Sequence, residues 1–74
     1  MPEELDARGL KCPLPVLRAR KTLKSVKPGE LLVIFATDPA APRDFEAFCE
    51  QTGIEFISCE ETGDEFKITV KNTG

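Results

Sequence analysis

Apolar residues follow different rhythms along the 74-residue chain, and each rhythm predicts a different element. Glu4-Leu5-Asp6-Ala7 alternates polar and apolar, as a short half-buried strand does, and Gly9 then turns the chain. From Pro13 to about Val26, the positions Val16, Leu17, Ala19, Leu23 and Val26 recur at helical spacing, with Arg18, Lys21 and Lys24 on the other side. Leu10, just ahead of this helix, is placed to pack back on it as a hydrophobic staple does. Lys27-Pro28-Gly29 ends the helix, because proline clashes with a continuing helix and glycine is free to turn. The continuous apolar run from Leu31 to Ala36 is too short for a typical helix and predicts a buried central strand. Ala41, Phe45, Phe48 and Cys49 then fall at i, i+4, i+7 and i+8, the buried face of a second helix that either Asp38 caps or Pro42 restarts.

Thr52-Gly53 stops the second helix, after which Ile54 to Glu60 and Phe66 to Lys71 read as strands joined around Thr62-Gly63-Asp64. In the last strand Phe66, Ile68 and Val70 alternate with Lys67, Thr69 and Lys71, a one-sided face on an antiparallel hairpin. Cys59 lies in phase with Ile57, which predicts a structural role, and Asn72-Thr73-Gly74 is expected to fray. The order β-α-β-α-β-β implies an α+β fold, a two-layer α/β sandwich with both helices on one face of a four-stranded mixed sheet. Its first two strands are expected to be parallel through a right-handed crossover. Residues 1–74 are read as a single small domain, with a net stability on the order of 4 to 11 kcal/mol.

Composition narrows the chemistry. Hydrophobic residues at 41% and charged residues at 31% are ordinary for a folded domain and argue against disorder. The chain has no tryptophan, tyrosine or histidine, so a self-contained Cys-His nucleophilic site cannot be built from it, and the common metal ligand is missing. Cys12, Cys49 and Cys59 are odd in number and widely spaced, which suits neither a disulfide scaffold nor a zinc site; no metal is expected. The acidic start Met-Pro-Glu-Glu and the lack of any long apolar run point to a cytoplasmic protein without a membrane partner. Net charge is −3, yet Arg8, Lys11, Arg18, Arg20, Lys21, Lys24 and Lys27 place seven of the ten basic residues in a stretch with no Asp or Glu. Such a basic helix suits an acidic protein patch or a phosphate backbone, and it equally describes a solvated helix face.

Chemistry concentrates at Gly9-Leu10-Lys11-Cys12-Pro13-Leu14-Pro15. Proline is at home in the first helical turn, so Cys12 is expected at the N-cap, with Pro13 at N1 and Pro15 at N3. The amides of Leu14 and Val16, the helix dipole, Lys11 and Arg8 would then stabilise an anionic sulfur, and a thiol pKa well below the ordinary value is expected. In an α/β arrangement this turn falls at the C-terminal edge of the first strand, where such sheets commonly carry their chemistry.

At Cys12-Pro13-Leu14-Pro15 the chain resembles the TusA (SirA-like) family of small sulfur carrier proteins, whose signature is Cys-Pro-x-Pro at the start of the first helix. Leu5-Asp6-Ala7 ahead of the Gly-Leu-x-Cys-Pro run, Lys21-Thr22, Pro28-Gly29-Glu30, Asp38-Pro39-Ala40, Arg43-Asp44 and Phe48-Cys49 extend the likeness nearly end to end. The resemblance implies a fold like the C-terminal domain of bacterial translation initiation factor three, with the last strand antiparallel between the second and third. It also implies that Cys12 accepts sulfane sulfur as a persulfide from a cysteine desulfurase or other persulfide donor and hands it to an acceptor protein. No cofactor is implied beyond that sulfur. In the best-known branch the relay ends in thiolation of a tRNA wobble uridine, with tRNA a partner at most indirectly.

Gly9, Lys11, Pro13 and Pro15 would then support the motif, Arg18, Lys21 and Lys24 would dock partners, and Asp38, Arg43 and Asp44 recur in the family's second-helix region. Some members carry an acidic residue between the prolines; here Leu14 removes that charge and adds an apolar contact. The carrier is expected to be a monomer. Two other classes compete with it. One is a nucleic-acid or regulatory protein-binding module using the basic first helix, although the lack of Tyr and Trp argues against base stacking. The other is a thiol redox enzyme, for which the chain has no Cys-x-x-Cys pair.

Overall fold

The computed structural model describes residues 3–73. Its elements follow the predicted order: β1 (Glu3–Ala7), α1 (Leu14–Leu23), β2 (Leu31–Ala36), α2 (Ala41–Thr52), β3 (Glu55–Thr62) and β4 (Glu65–Lys71). The strands form one sheet in the spatial order β1-β2-β4-β3, with β1 parallel to β2 and β4 antiparallel to both of its neighbours. The last strand thus lies between the second and third, as the resemblance implied.

One face of the sheet carries the core. Leu5, Ile34 and Ile68 sit side by side across three strands, as do Ala7, Ala36 and Phe66. Both helices cover this face with Ala19 and Leu23 from α1 and Ala41, Phe45, Phe48 and Cys49 from α2, the second set as the spacing predicted. Phe45 is completely buried and meets Phe48 edge to face, the arrangement that aromatic quadrupoles favour. Leu10 is half-buried and packs against the same cluster.

Among the described residues no helix covers the other face, and charged side chains shield its apolar centre. Val33 is flanked by Glu4 and Thr69, and Phe35 by Asp6 and Lys67. The Arg8 guanidinium lies 6.0 Å from the centroid of the Phe35 ring, is 2.9 Å from Asp6 and reaches Glu65 at 3.4 Å. Hydrogen bonds from the Arg8 side chain and amide hold the Asp6 carboxyl down at about 2.

Several expectations are corrected by helix and strand ends. Pro13, rather than Cys12, is the N-cap of α1, which puts Leu14 at N1 and Pro15 at N2. The helix stops at Leu23, and Lys24, Ser25 and Val26 continue it only as a tightened turn bonded to the residues three back. With Pro15, Ala19 and Leu23 defining the buried stripe, Leu17 falls on the opposite side of a 3.6-residue helix and is 51% exposed rather than core. On β3, a bulge between Phe56 and Ser58 inserts Ile57 as an extra residue. Cys59 therefore follows the phase of Phe56 rather than Ile57, and on this edge strand both Ile57 and Cys59 are exposed.

Asn72 does not fray. Its side chain donates to the Val26 carbonyl at 2.6 Å, its amide to Glu30 at 3.0 Å, and its carbonyl accepts from Gly29, where a φ of +88° suits glycine. Thr73 is tied to the Gly53 carbonyl, while the expectation for Gly74 lies outside the described residues. No described helix is long and apolar enough to cross a membrane.

Candidate functional site

Because β1 and β2 are parallel neighbours, their C-terminal ends lie together, with Ala7 opposite Ala36. The turn after β1 is thereby held beside the turn after β2. Gly9 takes a φ of +82° and donates its amide to the Thr37 hydroxyl at 2.9 Å, while the Leu10 amide closes back on the Ala7 carbonyl. The Cys12 amide donates to Asp38 Oδ2 at 2.5 Å, and Asp38 Oδ1 accepts the Ala40 amide at 3.0 Å. A single carboxylate therefore ties the starts of the two helices together. It also settles how α2 begins: the Asp38 carbonyl accepts the Ala41 amide, Ala40 is the N-cap, and Pro42 occupies N2.

Cys12 is exposed at the junction of two concavities. One, of about 480 Å³, is lined by Gly9, Lys11, Cys12, Thr37, Asp38 and Pro39. The other, of about 200 Å³, runs between α1 and α2 and is lined by Cys12, Val16, Arg20, Asp44, Phe48 and Gln51. Pro15 is fully buried beneath the motif and anchors the first helical turn in the core, whereas Pro13 is exposed; the Cys12-Pro13 peptide bond is cis.

The electrostatics of the sulfur reverse the expected sign. Interaction with the Asp44 carboxylate, which lines the same groove, pushes the Cys12 thiol pKa up, and desolvation and the charge of Asp38 act in the same direction. Of the two amides expected to hold a thiolate, those of Leu14 and Val16, the Leu14 amide is engaged with the Lys11 carbonyl at 2.8 Å, and the amide of Cys12 itself is taken by Asp38. Arg8 is turned to Asp6 and Glu65 on the far side of the sheet. Asp38 is lowered by its two amide donors, with a smaller contribution from the charge of Lys11. No acid interrupts residues 8 to 27, but two arrive from beyond β2.

The remaining sequence-derived candidates divide. Asp38 and Asp44 reach Cys12, whereas Arg43 points into a separate concavity with Pro39, Ala40, Pro42 and Glu46. Arg18 and Lys21 line an outer depression of about 580 Å³ with Leu14 and Leu17, which are 45% and 51% exposed. Lys24 lies elsewhere, beside Arg20, Val26 and Pro28. Cys49 is buried, and burial raises its thiol pKa; Cys59 is exposed, so Cys12 is not the only surface thiol. The residue that sequence reading left unplaced is Arg20, stacked 5.6 Å from the Phe48 ring in the groove beside Cys12. Its spacing of four from Val16 was the available signal, since it puts both on one helix face. Among the described residues no cluster of His, Cys, Asp or Glu is arranged to hold a metal ion.

The family model described as Sulfurtransferase TusA matches residues 3–72. The sulfur carrier protein TusA of Allochromatium vinosum is 48% identical over 71 residues, covering 96% of this chain and 93% of the relative. A putative sulfur carrier protein of Neisseria meningitidis serogroup A is 49% identical over 70 residues, 95% of each chain. In fold, the chain superposes on the crystal structure of a SirA-like protein from Desulfitobacterium hafniense with a TM-score of 0.82 over the full length of both, at 23% identity.

Proposed function

The chain belongs to the TusA family of sulfur carrier proteins, and on that premise we propose that Cys12 is the sulfur acceptor, taking sulfane sulfur as a persulfide from a cysteine desulfurase or other persulfide donor. The supporting observation is the place of Cys12, exposed where two concavities meet and presented by a turn that two hydrogen bonds, from Gly9 to Thr37 and from Cys12 to Asp38, hold beside the end of β2. In the transfer the Cys12 thiolate attacks the terminal sulfur of the donor's persulfide. The donor S–S bond breaks, and the donor cysteine leaves as a thiolate that regains a proton. There is no net oxidation, so no cofactor is required. A vicinal thiol would release the sulfur as sulfide; Cys49 is buried, and Cys59 lies on the edge strand β3.

Delivery to an acceptor protein, with tRNA wobble-uridine 2-thiolation in a reducing cytoplasm as the destination, completes the reading. Leu14 and Leu17 on the outer side of α1, beside Arg18 and Lys21, supply an apolar and basic contact for an acidic partner surface. Those cations would also meet RNA phosphates, but the leucines among them suit a protein.

The test is to incubate the reduced protein with a cysteine desulfurase and cysteine and to record intact and peptide mass spectra. Wild type is expected to gain one sulfur on the Cys12 peptide and Cys12→Ser none; loading that persists in Cys12→Ser overturns the assignment.

A further inference from the structure

The site contains a conflict between what sulfur acceptance needs and what the free protein stabilises. Attack on a persulfide requires a thiolate. Around Cys12, however, Asp38 has taken the Cys12 amide, the Lys11 carbonyl has taken the Leu14 amide, and Asp44, in the first turn of α2, lines the same groove as the thiol and favours its protonated form. Among the described residues no cation forms an ion pair with Asp44. Arg8 pairs with Asp6 and Glu65, and the charge of Lys11 acts on Asp38. Arg20 shares the groove with Asp44 yet stacks on Phe48 and makes no ion pair with Asp44 among the described residues.

We propose that Asp44 guards Cys12: its carboxylate, lining the same groove between α1 and α2, keeps the sulfur as a thiol in the free carrier, and a Lys or Arg that the sulfur donor brings into that groove pairs with Asp44 and releases the thiolate for transfer. The proposal rests on the carrier reading and adds the chemistry of the partner, a basic side chain placed beside its persulfide cysteine. With that cation in place, the Cys12 proton leaves to solvent and the thiolate takes the terminal sulfur of the donor's Cys–S–SH. The donor S–S bond breaks, and the departing donor thiolate takes a proton back from solvent. The groove of about 200 Å³ has room for one such side chain next to Asp44. Between encounters the guarded thiol resists stray electrophiles and oxidants.

Two measurements on the full chain decide it. In the first, iodoacetamide labelling of the Cys12 peptide is followed from neutral to alkaline pH. Asp44→Asn is expected to label on the order of tenfold faster at neutral pH, with its profile shifted to lower pH, because a like charge has been removed from beside the sulfur. Asp44→Glu restores the charge and is expected to stay slow, which separates the guard from a general loss of structure. Equal profiles for wild type and Asp44→Asn overturn the guard. In the second, sulfur loading is compared between inorganic polysulfide and a cysteine desulfurase supplied with cysteine. Asp44→Asn is expected to gain with polysulfide and lose with the desulfurase; a gain of the same size with both overturns the partner's cation. Wild type that takes sulfur from neither source overturns the carrier reading, while the labelling profile still decides the guard.

Discussion

Two side chains with shifted protonation lie a few residues apart in the chain and are governed by opposite surroundings. Asp6 accepts from the Arg8 side chain and amide and is held ionised down to about 2, against an ordinary value of 3.8. The unfolded chain therefore binds this proton at a higher pH than the folded one does. The stabilisation from the pair is fully present above pH 3.8 and is lost as pH falls from there through about 2. Asp6→Asn is expected to lower the urea midpoint at neutral pH and to flatten its decline across that acid window; a variant with the same acid limb as wild type refutes the pairing. At Cys12 the neighbouring carboxylates act in the other direction and favour the protonated form. Where the sequence places Lys11 and Arg8 close to the sulfur, the fold leaves Lys11 facing Asp38 and takes Arg8 away. The chemistry at each position follows the partner that the side chain meets, and adjacency in sequence is a poor guide to it.

Elements of this size do not stand alone. Ten residues make α1 too short to persist in water, so its stability comes from docking. Pro15, Ala19 and Leu23 insert into the core, and beyond the C-terminal end of the helix Asn72 closes the last carbonyls of the turn that follows. Its Nδ2 bonds to the Val26 carbonyl at 2.6 Å in a buried setting, and its backbone bonds to Gly29 and Glu30 hold the end of β4 against the entrance to β2. Asn72→Ala is expected to destabilise the protein by about 1–3 kcal/mol, since it leaves a buried carbonyl without its donor. Chemical denaturation measures this directly, and a loss below about 0.5 kcal/mol would show that water replaces the amide at no penalty. The bulge in β3 is a second device at this scale: one inserted residue, Ile57, changes which face every later side chain on the strand occupies.

Across the whole molecule, charge and apolar surface are separated by function. The uncovered face of the sheet presents interleaved acids and bases around Val33 and Phe35, a pattern that resists association. The outer side of α1 does the reverse, presenting Leu14 and Leu17 with Arg18 and Lys21 at a position adjoining the motif of Cys12. Exposed leucines on a domain this small suit a surface that another protein covers. Leu17→Asp is expected to leave the denaturation midpoint within about 0.5 kcal/mol of wild type. It should nevertheless weaken binding to the sulfur donor roughly tenfold, as loss of an anchoring contact does. Calorimetric titration against a cysteine desulfurase checks both the affinity and its salt dependence; unchanged affinity places the interface on another face.

The sequence by itself determined the order and kind of every element, the buried face of α2, the central position of an apolar β2 and the choice of Cys12 as the residue to watch. Those properties are set by local periodicity, by proline and glycine at helix ends, and by a motif contiguous in the chain. Tertiary structure decided the remainder. Which side of α1 is buried depended on where the helix docks, and this turned Leu17 outward; the bulge in β3 reset Cys59; and a contact with Val26, 46 residues away, anchored Asn72. The protonation of Cys12 is of the same kind. Parallel pairing of β1 with β2 brings Asp38 to its amide, and the docking of α2 brings Asp44 into the groove that Cys12 lines. Coulombic and hydrogen-bond effects act over a few ångströms of space, so a stretch free of acids in sequence became a site flanked by two of them.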